Sequence, residues 1–430
     1  MMRENPMQIN TAYGPNFKYM SGWEYMCIDV ANYYGLDKKL FEERIQWVYD
    51  NIKDLESKVQ DAETPELYHK AVMTLRRVQR GEAVGNITYW DGCCSGIQIM
   101  SALTGCEKGA YNTGCIDPDK RMDAYSNTTD AMNGVLKRKG LDSIQVPRSH
   151  IKQAVMTSGY GSKAVPKKVF GEGEMLDYFY EAAHIIAPGA FNLMDELLGS
   201  WRPYALEHVL ELPDGFIAKM KVMETLETRI EVDELDHATF TMEYKENRGT
   251  EKGRANVANT IHCCDAYLLR ELERLCNYNP ELVAEVLKML EARLLAHTMG
   301  MQAEEATGDM VRRIRLWNEN KQSSMVILND INWSNYMQLP IDLARDVMRK
   351  VNFMLTYKPF PVATVHDAFG SHPNNCNEVR YWYKEMLAEF ADSTILQSLM
   401  NQLYQTTDGV YTKLSENLGD KIRGSNYALS

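Results

Sequence analysis

The sequence contains no run approaching the roughly 18 uninterrupted apolar residues that a membrane-spanning helix requires. Its first residues, MMRENPMQINTAYG, have no apolar core of the kind a secretory leader carries. Nine cysteines are present, with Cys93-Cys94 and Cys263-Cys264 adjacent, but there is no CxxC. That spacing argues against a zinc ribbon or a disulfide framework and fits a reducing compartment. There is no internal repeat and no Pro- or Ser-rich linker, so any lobes share an interleaved core. Apolar residues make up 45% and charged residues 25%, the balance of a globular chain rather than a disordered one. At roughly 100–200 residues per domain, 430 residues suggest two or three lobes. The net charge of −12 argues against a sequence-independent coat for nucleic acid, which needs clustered cations.

That total conceals a polarity. Between Gly134 and Lys168 stand eight Lys or Arg and a single acid, Asp142, whereas Gly171 to Asp214 has nine acids against Arg202 alone. Such a distribution suggests a cationic face directed at an anion, with acidic flanks on solvent or against a basic partner; a solvated charge run is the plainer reading.

The pattern reads as mostly helical with a few short buried strands. Asn279-Pro280-Glu281 resembles an N-cap, a first-turn Pro and a first-turn acid, opening a helix that Gly300 ends. Leu40 to Val59 and Glu378 to Leu403 have helical periodicity. Ile87 to Trp90 and Val362 to Val365 are short, β-prone segments followed by acidic positions, Asp91 directly and Asp367 after His366.

An acid at the end of a buried strand is costly unless its charge is compensated, and a metal ion does that well. Asp91 and Asp367 on neighbouring strands could therefore hold two Mg²⁺ ions for phosphoryl or nucleotidyl transfer. Each alone also fits a turn or a helix cap. A third element strengthens the functional reading. Arg148 and Lys152 are four apart, hence on one face of a helix, with no acid nearby in sequence, and could clamp a triphosphate. Tyr160 and Gly161 follow at the helix end, where glycine permits close approach of backbone and substrate. A basic surface helix with a capping Tyr-Gly is the plain alternative.

Together these segments resemble the single-subunit RNA polymerases of phages and mitochondria. Asp91-Gly92-Cys93-Cys94-Ser95-Gly96-Ile97-Gln98 is similar to that family's DGxCSGIQ. Arg148, Lys152, Met156, Thr157, Tyr160 and Gly161 match RxxxKxxxMTxxYG, and His366-Asp367-Ala368-Phe369-Gly370 matches its HD segment. Ile261 to Asp265 with Leu269-Arg270 resembles HSxDxxHLR, and Tyr427 to Ser430 resembles the family's short aromatic tail.

The resemblance implies a mostly helical α+β fold, the palm and fingers of a right-hand polymerase lacking most of the N-terminal domain and thumb. It divides the chain into a first palm part (1–119), fingers (120–262) and a second palm part (263–430) with a helical insertion at about 275–355. It implies a DNA-directed RNA polymerase, a nucleotidyltransferase using DNA template, NTPs and two Mg²⁺ held by Asp91, Asp367 and the Gly92 carbonyl. Arg148 and Lys152 would hold the triphosphate, with Tyr160, Gly161 and His262 near base and ribose. Tyr125 would be a further substrate-side aromatic, and His366 would orient the strand end at the metals.

Departures from the family shape the remaining expectations. Only 90 residues precede Asp91, no WRGR segment occurs, and Gly22 to Asp37 already resembles the palm stretch that follows it. A split phage enzyme, whose second chain supplies the N-terminal domain and thumb, accounts for this and implies the cytoplasm of an infected bacterium. Where the family has a DNA-reading hairpin, Glu224 to Glu246 includes Glu224, Glu227, Glu231, Asp233, Glu234 and Asp236. That surface suits duplex phosphates poorly, so recruitment to single-stranded template by a DNA-binding protein is expected. No membrane partner is expected. An A-family DNA polymerase and an inactive nucleic-acid-binding scaffold are the competing readings. The first usually has Glu soon after the first Asp and HDE at the second, where this chain has Gln98 and Ala368. The second needs neither acid together with Arg148 and Lys152.

Overall fold

The computed structural model describes residues 12–250 and 255–430; the leader reading on residues 1–11 lies outside them. The described chain is mostly helical with three small antiparallel sheets. No described helix is long and apolar enough to cross a membrane. The strands are β1 (Thr88–Asp91), β2 (Glu207–Glu211), β3 (Ile217–Lys221), β4 (Glu224–Val232), β5 (Ala238–Glu246), β6 (Ala363–Val365) and β7 (Ala368–Ser371).

The sheet that brings the two candidate acids together has the order β1-β7-β6. The strand expected after Ile87 is present and includes Asp91 itself. Its partner is β7, the strand that follows the His-Asp pair, which the sequence reading left out. AFGS is too short to show alternation, so only its pairing reveals it. Trp90 opposes Phe369 and Asp91 opposes Ala368. Side chains alternate across a strand, so Trp90 turns into the core and is fully buried while Asp91 faces out. The Trp90 ring meets Tyr25 at 5.1 Å and Phe41 at 5.8 Å. The Arg380 guanidinium lies over the Phe41 ring at 4.7 Å and is held by the Tyr25 hydroxyl and the carbonyls of Lys18 and Asn426. A buried cation is tolerated here because aromatic faces and carbonyls replace its water.

Two helices form the floor beneath this sheet. Ser95–Thr104 is buried at all ten positions, its polar Ser95, Gln98, Ser101 and Thr104 included. Cys376–Asp392 is buried at fifteen of seventeen, including Glu385 and Glu389, which need partners. The Ile341–Met354 helix supplies them: Arg349 reaches Glu385 at 2.9 Å and Glu389 at 2.7 Å, and Lys350 reaches Glu389 at 2.9 Å. Part of the 275–355 insertion therefore neutralises the central helix.

The Asn279 side chain caps Pro280–Thr298, accepting from the N–H groups of Glu281 and Leu282, and the chain leaves through Gly300 at φ +85°. The other two periodic stretches are each broken. Leu40–Val59 becomes Phe41–Asp50 and a 3₁₀ turn at Leu55–Asp61, with the Asn51 amide turned back onto the Trp47 carbonyl. Glu378–Leu403 divides at Ser393-Thr394 into Cys376–Asp392 and Ile395–Tyr404. Hydroxyl side chains compete locally for backbone hydrogen bonds, and Ser393 Oγ accepts from the Ile395 N–H.

One continuous core runs from Tyr13 to Leu429, and a smaller cluster around Val48, Leu55 and Tyr68 backs it. The acidic flank is not wholly turned to solvent: Glu181 pairs with Arg138 and Glu172 with Lys167, joining it to the basic run. Asp214 holds Arg270 at 2.7 Å and Arg274 at 3.2 Å, so Arg270 is engaged within the fold.

Candidate active site

Asp91 and Asp367 are brought together by the sheet. His366 and Asp367 form the two-residue turn between β6 and β7, and the Asp367 carbonyl accepts from the Gly92 N–H at 3.4 Å. His366 is exposed, with φ +54°, at the apex of that turn. Ser95 Oγ donates to an Asp367 carboxylate oxygen at 3.2 Å. Among the described residues, neither carboxylate is in an ion pair. Asp91 is open to solvent on one side, yet the protein around its carboxyl, and secondly the negative charge of Asp367, push its pKa up to about 6. Lys38 and Lys152 offset this only in part.

A third carboxyl belongs to the same field. Asp265, on the Ala255–Cys276 helix, is also pushed up to about 6, first by burial and then by Asp367. Sequence reasoning gave it no role, because 102 positions separate it from Asp367 and only the fold joins them.

The chain's end completes the floor. Leu429 bridges Gly92, and the Ser430 N–H donates to the Asp91 carbonyl at 3.1 Å. The Gln98 amide donates to the carbonyls of Thr113 and Ala428, both at 2.9 Å, while its oxygen accepts from the Tyr383 hydroxyl at 2.7 Å. Gly92 fits closely here, since a Cβ there would lie 2.9 Å from that hydroxyl.

The Arg148–Ser158 helix carries the cations. Arg148 and Lys152 share a face, and both lie over the Tyr125 ring, at 5.5 and 5.9 Å. Lys152 is exposed and has no ion-pair partner among the described residues. Arg148 is not free of acids, contrary to the sequence reading. Asp123 accepts from its Nε at 2.9 Å and from one terminal nitrogen at 2.5 Å. The partner was hidden because it lies 25 positions upstream, across a turn. Asp123 also accepts from the Tyr125 N–H at 3.1 Å and the Ser126 hydroxyl at 2.9 Å, capping Ala124–Arg138. Burial opposes its ionisation, but the bonds from Ser126 and Arg148 prevail and hold its pKa below the ordinary value.

Tyr160 follows that helix, and Gly161 (φ +81°) turns the chain away beside Val257. The Tyr160 ring lies 5.0 Å from His262, and its hydroxyl reaches Gly96, where a Cβ would stand only 2.8 Å from it. Burial pushes that hydroxyl up to about 12, with Ser95 acting the other way. Tyr125 is pushed up as well, again chiefly by burial.

Asp91, Asp367, Arg148, Lys152, Tyr125, Tyr160, Gly161 and His262 therefore stand on elements that converge, while His366 stands exposed at the turn's apex. A separate group, Glu231, Asp233 and His237, brings possible ligand atoms within 4.8 Å of one another at the exposed tip of the β4–β5 hairpin. His237 lies 2.9 Å from Glu231 and 3.4 Å from Asp233, a self-contained surface ion cluster rather than part of the converging site.

The DNA-dependent RNA polymerase family matches residues 19–74 and 86–200, a span that holds Asp91, Arg148, Lys152 and Tyr160. A probable DNA-directed RNA polymerase of Gelasinospora sp. (strain G114) is 29% identical over 149 residues. That match takes in 30% of this chain and 18% of the relative, so the chain matches less than a fifth of that protein's length. Over these segments the chain is similar to the phage and mitochondrial type of single-subunit RNA polymerase.

Proposed function

We propose that this chain is the catalytic subunit of a DNA-directed RNA polymerase, transferring ribonucleotides from NTPs to an RNA 3′-hydroxyl on a DNA template. The observation that carries the reading is the pair Asp91 and Asp367, unpaired and mutually repelling, beside a helix presenting Arg148 and Lys152. Bound cations would relieve this repulsion, and an all-oxygen donor set favours a hard divalent ion. The residues therefore fit two Mg²⁺, with Asp91, Asp367 and the Gly92 carbonyl as ligands. Bound there, the ions would activate the 3′-hydroxyl and neutralise the leaving pyrophosphate.

The chain's own groups do the remainder. Lys152, exposed and unpaired, offers its ammonium to the triphosphate. Arg148 keeps one terminal nitrogen for the same anion while Asp123 fixes the other edge of its guanidinium, so little ordering remains to be done on binding. The Tyr160 ring forms a floor for the incoming base, with its hydroxyl, beside His262, facing the ribose. Palm and fingers are the natural division of this site, with β1 in the first palm part, β7 in the second and the Arg148–Ser158 helix in the fingers.

A second polypeptide supplying the N-terminal domain and thumb, a phage setting and a recruiting DNA-binding protein complete the proposal. Co-purification followed by primer extension with ribo- and deoxynucleotides tests subunit and sugar choice together. Asp91→Asn or Asp367→Asn should abolish extension while template binding stays within about threefold. If binding falls in step with synthesis, the metal assignment is wrong. The A-family DNA polymerase alternative predicts instead a preference for deoxynucleotides.

A further inference from the structure

The β4–β5 hairpin takes no part in the site above, yet its two faces are unlike. Nine cross-strand pairs run from Glu224–Glu246 to Val232–Ala238. Paired residues share a face and successive residues alternate, so Leu226, Ile230, Phe240, Met242 and Tyr244 stand on one face. That face is not packed on the body: Phe240 is 51% exposed, Met242 45%, Tyr244 39% and Ile230 38%. A contiguous apolar row of this kind on a projecting element marks an interaction site.

The reverse face gives the partner's charge. Glu227 stands directly opposite Glu243, and neither has an ion-pair partner among the described residues. Like charges in that relation destabilise a ladder, and a two-stranded hairpin is marginal on its own in water. At the base, Arg248 answers Glu224 at 3.0 Å and Glu246 at 3.8 Å, but nothing comparable serves the middle pair. Residues 224–246 hold eight acids against Arg229 and Lys245. A second copy of the chain would bring the same negative charge, and a nucleic acid would bring phosphates.

We propose that this hairpin is a docking arm for a second protein that clasps both its faces, presenting an apolar strip to one and Lys and Arg to the other. The apolar row supplies the contact that holds, while Glu227 and Glu243, without ion-pair partners among the described residues, select cations against the reverse face and make association fast and salt-dependent. The arm is independent of the metal-site assignment, since none of its residues belongs to that site.

The test uses the full chain carrying Phe240→p-benzoylphenylalanine, irradiated in the cells that make it, with Arg345→p-benzoylphenylalanine as the control position. The protein crosslinked only through position 240 is identified, purified and titrated against the wild-type chain. Expected is binding that weakens at least tenfold between 50 and 300 mM salt. It should weaken at least tenfold again in Phe240→Ser/Met242→Ser and in Glu227→Lys/Glu243→Lys, with primer extension unchanged in both variants. Because the second variant leaves the apolar row intact, a folding defect in the first does not decide the matter. Crosslinks only to nucleic acid or to another copy, no crosslinked protein, or wild-type affinity in either variant would overturn the proposal. So would loss of binding to a 40-base-pair duplex in Phe240→Ser/Met242→Ser, which would make the arm a DNA reader.

Discussion

Asp123 is the residue whose contribution the geometry allows to be worked out most fully. It touches no substrate in the proposed mechanism; it acts by fixing Arg148. Replacing it with Asn keeps the side chain's shape and one accepting oxygen for the Tyr125 N–H, and Asn caps a helix about as well as Asp. What is lost is the charge facing Arg148. Hydrogen bonds to a charged group contribute about 1.5–3 kcal/mol when desolvated, and exposed ion pairs contribute about 0–1. The Arg148 side chain is 37% exposed and that of Asp123 16%, so an intermediate value of about 1–2 kcal/mol is expected. That corresponds to a loss of roughly 5–30-fold in kcat/KM for the incoming nucleotide.

The loss should fall mainly on KM, because a loosened Arg148 must be ordered each time a triphosphate binds. Single-nucleotide extension of a primed template over a range of ATP concentrations measures it. Thermal unfolding of the same variant should change little, which separates positioning from folding. A double-mutant cycle with Arg148→Ala completes the case, since Asp123→Asn should cost nearly nothing once Arg148 is gone. Additive losses in that cycle, or a kcat/KM within twofold of wild type, would refute the reasoning.

Three further outcomes follow from the same structure. Tyr160→Phe should relax discrimination against deoxynucleotides by about 1–3 kcal/mol, the scale of a lost buried hydrogen bond; unchanged ribo-to-deoxy ratios in primer extension would remove Tyr160 from sugar selection. Gly96→Ala introduces a Cβ at 2.8 Å from the Tyr160 hydroxyl, so the ring must shift. Nucleotide KM should rise while template affinity holds, and a silent substitution would show that the ring's seat is not constrained by Gly96. Asp29, buried and accepting from the Asn86 amide, is pushed up from 3.8 to about 7, chiefly by burial. Its raised pKa means the folded state holds the proton more tightly. Its contribution to stability is full below about pH 4 and is lost as pH rises through about 7, some 4 kcal/mol in all. Asp29→Asn should remove that slope from denaturant unfolding measured between pH 5 and pH 8, and an unchanged slope would place the linkage elsewhere.

What the sequence revealed and what it concealed differ by distance along the chain. Arg148 and Lys152 are four residues apart, so a single helical turn decides their relation and the pattern alone suffices. Asn279, Pro280 and Gly300 likewise speak through local rules of helix entry and exit. The contacts that complete the site are of another kind. Asp265 feels Asp367 from a different helix, Asp123 holds Arg148 across a turn, and Ser430 closes onto Asp91 from the far end of the chain. No periodicity encodes those pairings, and β7 is too short for alternation to announce it. The insertion was opaque for a related reason. Arg349 and Lys350 look like ordinary surface cations until the largely buried Cys376–Asp392 helix is seen to need them.

That last pairing bears on how the site is kept in register. The Cys376–Asp392 helix carries Tyr383, whose hydroxyl fixes Gln98, and Gln98 in turn fixes the tail that closes on Gly92 and Asp91. A buried helix with unpaired Glu385 and Glu389 would be strongly disfavoured, since an uncompensated buried charge costs several kcal/mol. Arg349, Lys350 and Arg423 offset part of that cost, and so help to hold in place the helix on which the floor of the proposed metal site rests. The charges nearest the proposed chemistry are thus left repelling one another, whereas those one layer beneath have partners. In the proposed mechanism, an architecture of this kind would keep the carboxylates of Asp91 and Asp367 open to cations without letting their repulsion spread into the fold.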